Sequence, residues 1–126
     1  MGRRTAGFAV LCALSALATG CSAGQIANSV PPAGPYQVVS ATARNWSWTL
    51  SARHLKAGEE VKFIVRSLEA VHGFSIVGTN VSTAVTQGDR PAVVYWKPPA
   101  PGVYTLACNV YCGAGHDAMH TEFTVS

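Results

Sequence analysis

A chain of 126 residues has room for one domain and one hydrophobic core. Hydrophobic residues make up 48% and charged residues only 12%, which excludes a disordered or coiled-coil chain and favours a compact, strand-rich domain. The nine basic and six acidic side chains give a net charge of +3. Two of the basic ones, Arg3 and Arg4, sit in an N-terminal segment read below as removed, so the remainder is nearly neutral. No Lys or Arg cluster is interleaved with aromatic residues, and no nucleic-acid partner is expected.

Residues 1–20 read as an export signal. Arg3 and Arg4 form a positive start, and Ala6 to Thr19 form an apolar run of fourteen residues, shorter than the roughly 20 that a membrane-spanning helix needs. The run ends in Leu17-Ala18-Thr19-Gly20-Cys21, similar to a bacterial lipoprotein signal in which the cysteine is acylated and becomes the new N-terminus. Cys21 is thus the expected lipidation site, and the protein is expected to be exported to the periplasm or the outer face of the cell membrane, held there through lipid. Residues 21–35 are rich in Ser, Ala, Gly and Pro and have no apolar period, the composition of a flexible tether. The domain is placed at residues 36–126.

Within that domain, alternating or β-branched runs recur between turn residues: Gln37–Ala43, Trp46–Leu50, Val61–Arg66, Phe74–Val77, Val81–Thr86, Ala92–Trp96, Val103–Ala107 and Thr121–Val125. Val61, Phe63 and Val65 fall on one face of their run, and Pro98-Pro99-Ala100-Pro101-Gly102 forms a turn that no helix crosses. The pattern predicts an all-β antiparallel sandwich of about eight strands. Trp46 and Trp48, two residues apart, are expected on one face of their strand, packed in the core, the alternative being an exposed aromatic near the metal end read below that could pass electrons. His54 is expected in a solvated loop, and His120, directly after Met119, at an ordinary strand start or as a group that supports the metal ligands.

The chemistry concentrates between the last two predicted strands, in Cys108-Asn109-Val110-Tyr111-Cys112-Gly113-Ala114-Gly115-His116-Asp117-Ala118-Met119. Two cysteines, a histidine and a methionine fall within this segment. Thiolate, thioether and imidazole together select copper, since zinc rarely takes methionine and calcium or magnesium takes oxygen. Gly113 and Gly115 let the loop curl so that its side chains converge. His72, in Val71-His72-Gly73-Phe74, is expected where a strand ends, facing the same pole.

From about Val38 to Val125 the chain resembles the CuA domain of cytochrome c oxidase subunit II, in particular the short form of b-type haem-copper oxidases. The matching stretches are Val71-His72-Gly73-Phe74, Val77-Gly78-Thr79-Asn80-Val81, Pro101-Gly102-Val103-Tyr104 and the loop Cys108–Met119. The resemblance implies a cupredoxin-like Greek-key sandwich carrying two copper ions. Cys108 and Cys112 would bridge them, His72 and His116 would each cap one, and Met119 and the backbone carbonyl of Val110 would be weak ligands. Val110 stands where that family usually has Glu or Gln. The resemblance further implies a cytochrome c or small copper protein as electron donor and a haem-copper oxidase catalytic subunit as acceptor.

Other readings remain open at this point. A Cys108–Cys112 disulfide would leave His116, Met119 and the glycines unexplained. A mononuclear blue-copper site would use His72, Cys112, His116 and Met119, with Cys108 as a strand residue. A copper chaperone for oxidase assembly would favour a more open, exchangeable site. No acid, base or nucleophile accompanies the cluster, so no catalytic residue is assigned and bond-making chemistry in this chain is not expected.

Overall fold

The computed structural model describes residues 31–126; the expected export signal, the expected lipidation site Cys21 and residues 22–30 of the expected tether lie outside them. The described chain forms nine strands: β1 (Gln37–Arg44), β2 (Ser47–Leu50), β3 (His54–Leu55), β4 (Val61–Ser67), β5 (Val71–Ile76), β6 (Ser82–Thr86), β7 (Ala92–Trp96), β8 (Gly102–Ala107) and β9 (His120–Val125). One 3-10 turn, His116–Ala118, lies between β8 and β9. Two sheets result, ordered β2-β1-β4-β7 and β3-β9-β8-β5-β6. Most neighbours are antiparallel, but β1 runs parallel to β4 and β3 parallel to β9. Among the described residues no helix is long and apolar enough to cross a membrane.

Period-two alternation builds the core. In β4, Val61, Phe63 and Val65 are buried, as are Val39, Ala41 and Ala43 in the paired β1. From the other sheet come Phe74 and Ile76 of β5, Leu106 of β8 and Phe123 of β9. Phe63 bridges the layers: its ring lies 5.2 Å from Phe74 and 6.5 Å from Phe123. Trp96 meets Phe123 edge-on at 6.0 Å, and Tyr104 stacks on Phe123 at 5.8 Å. Such offset and edge contacts suit the ring quadrupoles and fix the spacing of the sheets.

Two strands differ from the sequence expectation. β5 begins at Val71, so His72 sits inside a strand, paired with Val85, instead of at its end. Gly73 has no side chain to register in an alternating pattern, and that hides the strand start. β3 is only two residues long, too short to show a pattern; it places His54 in a strand, with Nδ1 2.7 Å from the Thr124 hydroxyl, and not in a free loop. His120 is exposed and opens β9, as expected.

The turn joining β4 to β5 is closed locally. The Ser67 hydroxyl donates to the carbonyls of Glu69 (2.7 Å) and Ala70 (3.0 Å), and Ala70 takes a left-handed φ of 58°. This turn brings the chain straight into the strand that carries His72.

Phe63→Ala should cost about 3–5 kcal/mol of stability, because the ring ties both sheets together and its loss leaves a cavity. Val103, 64% exposed, should tolerate Ala within about 0.5 kcal/mol. Urea unfolding of both variants checks the contrast; equal effects would place the core elsewhere.

Candidate metal centre

His72, Cys108 and Cys112 come together at one pole of the sandwich, their ligand atoms within 4.8 Å of one another. Each is delivered by a different stretch of backbone. His72 projects from β5, on the same inward face as Phe74 and Ile76. Cys108 directly follows β8, and Cys112 lies four residues further along the loop. The neck of the loop is pinned where Cys108 N–H donates to the Met119 carbonyl at 3.0 Å, which extends the β8–β9 pairing by one bond. The far side is folded by short turns, His116 N–H to Gly113 O (3.1 Å) and Met119 N–H to His116 O (3.1 Å). Gly113 supports these turns with a φ of 119°, a conformation that side chains disfavour.

The two sulfurs lie 3.5 Å apart and both cysteines are free. A disulfide needs about 2.0 Å, so the pair is close but unbonded. Gly73 N–H points at Cys108 Sγ from 3.3 Å, and the Val110 carbonyl lies 3.1 Å from the same sulfur. Cys112 Sγ lies 3.6 Å from His116 Nδ1 and 3.8 Å from Met119 Sδ. The other four expected ligand groups therefore gather around the pair of sulfurs, with His72 within 4.8 Å of both, Val110 beside Cys108 and both His116 and Met119 beside Cys112.

His72 is fully buried and neither ring nitrogen has a hydrogen-bond partner. An orphaned buried polar atom costs roughly 1–3 kcal/mol, and native structures rarely leave two on one ring. Both sulfurs face the same space, and this donor set of nitrogen and sulfur is what copper prefers. The residues present thus fit a copper site. Burial is also the main reason that the Cys112 thiol is pushed up to about 11 from 9.0, with the neighbouring Cys108 adding to the effect.

Several supporting residues escape a reading of the sequence. Asn109 donates its side-chain N–H to the Ser82 hydroxyl at 2.7 Å, tying the loop to β6. Its side chain covers Gly73: a Cβ there would overlap the Asn109 side-chain oxygen and lie 2.7 Å from the Val110 nitrogen. Trp48 is buried as expected and stands edge-on to His72 at 6.5 Å. Trp46 does not share its place. It precedes β2, is 41% exposed, and lies over the ligand loop with Nε1–H donating to the Cys112 carbonyl at 3.0 Å. A spacing of two residues implies one face, but Trp46 belongs to the turn and not to the strand. The one available hint is the Gly113/Gly115 pair, whose missing side chains make room for the indole.

No family model matches the sequence. Two cytochrome c oxidase subunit 2 proteins of Thermus thermophilus are each 34% identical over 100 residues. Each match covers 79% of this chain, and the matched region is 73% of the first relative and 59% of the second. A nitrous-oxide reductase of Cupriavidus necator is 31% identical over 91 residues, covering 69% of this chain and 14% of that enzyme. Among solved structures, the periplasmic domain of cytochrome oxidase subunit II from Bradyrhizobium japonicum superposes with a TM-score of 0.68 over 77% of this chain and 87% of that one. At 17% identity that likeness establishes the cupredoxin-like fold alone. A chain of a heme-copper terminal oxidase dimer matches at 27% identity and a TM-score of 0.61, over 77% of this chain and 76% of that one. With an extended match to the first Thermus protein and this fold beneath it, the chain belongs to the cytochrome c oxidase subunit II family, and its described domain is of the CuA type.

Proposed function

We propose that this chain is an exported electron-transfer module in which Cys108 and Cys112 bridge two copper ions, with His72, His116, Met119 and the Val110 carbonyl completing the site. The observation that carries this reading is the unbonded pair of sulfurs 3.5 Å apart, flanked by the orphaned His72 ring and by His116 and Met119. A bridged copper pair would spread one added electron over both metals, which keeps bond-length changes small. The protein's part is to hold the donors still and keep water out. His72 and Met119 are essentially buried, and the loop is pinned at both ends. Six ligand groups would leave no vacant position for a substrate.

A haem-copper oxidase catalytic subunit is the acceptor this family membership favours, and a cytochrome c or a small copper protein is the donor. The reading places the domain outside the cytoplasm, with Cys21 carrying the lipid that holds it at the membrane. A diacylglyceryl group with a further acyl chain gives stable attachment, at about 0.8 kcal/mol per buried methylene. A mononuclear site is less well supported, because Cys108 holds its sulfur only 3.5 Å from that of Cys112.

The purified domain should take up two copper ions per chain. Cys108→Ser and Cys112→Ser should each abolish the paired site, whereas Met119→Leu should keep both ions and shift the reduction potential. Metal analysis and redox titration check this; full occupancy at one ion per wild-type chain would contradict it.

Coordination requires the Cys112 thiolate, so copper uptake must displace a proton held with a pKa of about 11. Affinity should therefore weaken as pH falls, measured by competition with a chelator across a pH series. In the metal-free protein the sign reverses. The raised thiol contributes stability that is fully present below pH 9.0 and lost as pH rises toward about 11. Denaturation midpoints should fall over that window in wild type, and less steeply in Cys112→Ala.

Cys21→Ala should prevent incorporation of labelled fatty acid. A wild-type protein recovered unlabelled and free in the periplasm would rule out the anchor.

A further inference from the structure

We infer that the turn between β1 and β2 is a clamp on the ligand loop, with Trp46 as a positioning residue for Cys112 and His116 and Glu69 holding Trp46 in place. The indole N–H reaches the Cys112 carbonyl at 3.0 Å across 66 positions of sequence. Its ring lies against the next stretch of the loop. A Cβ added at Gly113 would come within 3.2 Å of the ring, and one at Gly115 would overlap it. Because Trp46 is 41% exposed, the ring is no core anchor, and the loop backbone is where its buried side rests. Gly115 therefore serves contact as well as flexibility: it lets the indole approach the backbone immediately before His116.

The clamp is itself held. Glu69 Oε2 accepts a hydrogen bond from Asn45 N–H at 2.8 Å, and Glu69 Oε1 lies 3.6 Å from Arg44 Nη1. The ion pair is exposed and contributes little, but the charge-assisted bond to the backbone fixes the residue directly before Trp46. Glu69 sits in the Ser67–Ala70 turn that leads into the His72 strand. One carboxylate thus joins the turn ahead of His72 to the turn that presses on the loop from Cys112 to Gly115. Through it the two separate ligand segments share a single support.

This inference rests on the copper reading, in that Cys112 and His116 are taken as ligands, but its first readout needs no metal. The test uses the full chain, metal-free and reduced, and measures alkylation of Cys112 by iodoacetamide at fixed pH with Cys108 as internal reference. Trp46→Phe keeps a ring and loses the N–H donor; it should speed Cys112 alkylation about two- to tenfold, the factor carried by one hydrogen bond, and leave Cys108 unchanged. Trp46→Ala should act more strongly, and Glu69→Ala should act in the same direction with Glu69→Gln restoring part of the loss. Copper-loaded Trp46→Phe should release copper to a chelator faster than wild type. Wild-type Cys112 rates in both Trp46 variants, or both cysteines accelerated together, would overturn the clamp. If Trp46→Ala fails to fold, Trp46→Phe decides alone. A wild-type chain that binds no copper would overturn the copper reading while leaving the thiol result to judge the clamp.

Discussion

Two thiols kept 3.5 Å apart without bonding, next to a buried imidazole that no protein group satisfies, set the terms for this pole of the molecule. Left to themselves, neighbouring cysteines in an oxidising compartment close to a disulfide, and a buried histidine finds a hydrogen-bond partner. The fold forgoes both. It holds the imidazole on β5 and the two thiols at different points of one pinned loop, so that none can relax toward the others without disturbing a strand or a turn. The Cys108 sulfur is fixed by Gly73 N–H, Cys112 by the loop turns and the indole above it, and His72 by its place within β5.

The sandwich supplies that rigidity because an aromatic cluster crosses between its sheets just beneath the site. Phe74 is two residues from His72 on the same face and packs against both Phe63 and Trp48. Any motion of His72 along its strand would have to move this cluster. On the other side, the β8–β9 ladder runs directly into the neck of the ligand loop. A loop of this length is usually the most mobile part of a domain. Here both its ends continue a sheet, and its middle is tied to Ser82 and to Trp46. A centre that exchanges electrons without rearranging benefits from such stiffness.

Much of this is legible in the residues themselves. The strand pattern emerges because most strands bury one face, and Val61, Phe63 and Val65 show the alternation plainly. The ligand loop is legible because soft ligands packed so closely serve few other purposes. What stays hidden depends on contacts between segments distant in sequence. Trp46 reads as a core residue because its spacing from Trp48 matches a strand period, whereas the chain turns between them. His72 reads as a strand end because Gly73 interrupts the pattern, yet that glycine is what allows Asn109 to lie across β5. The role of Glu69 has no local signature, since a lone carboxylate in a turn is ordinarily just solvated.

Whether the sulfurs serve one metal or two decides what this pole of the molecule does. Electron paramagnetic resonance of the copper-loaded, partly oxidised protein reads this directly. A shared unpaired electron predicts hyperfine splitting from both copper nuclei, lost in Cys108→Ser. A signal split by a single nucleus in the fully loaded wild-type protein would contradict the bridged pair.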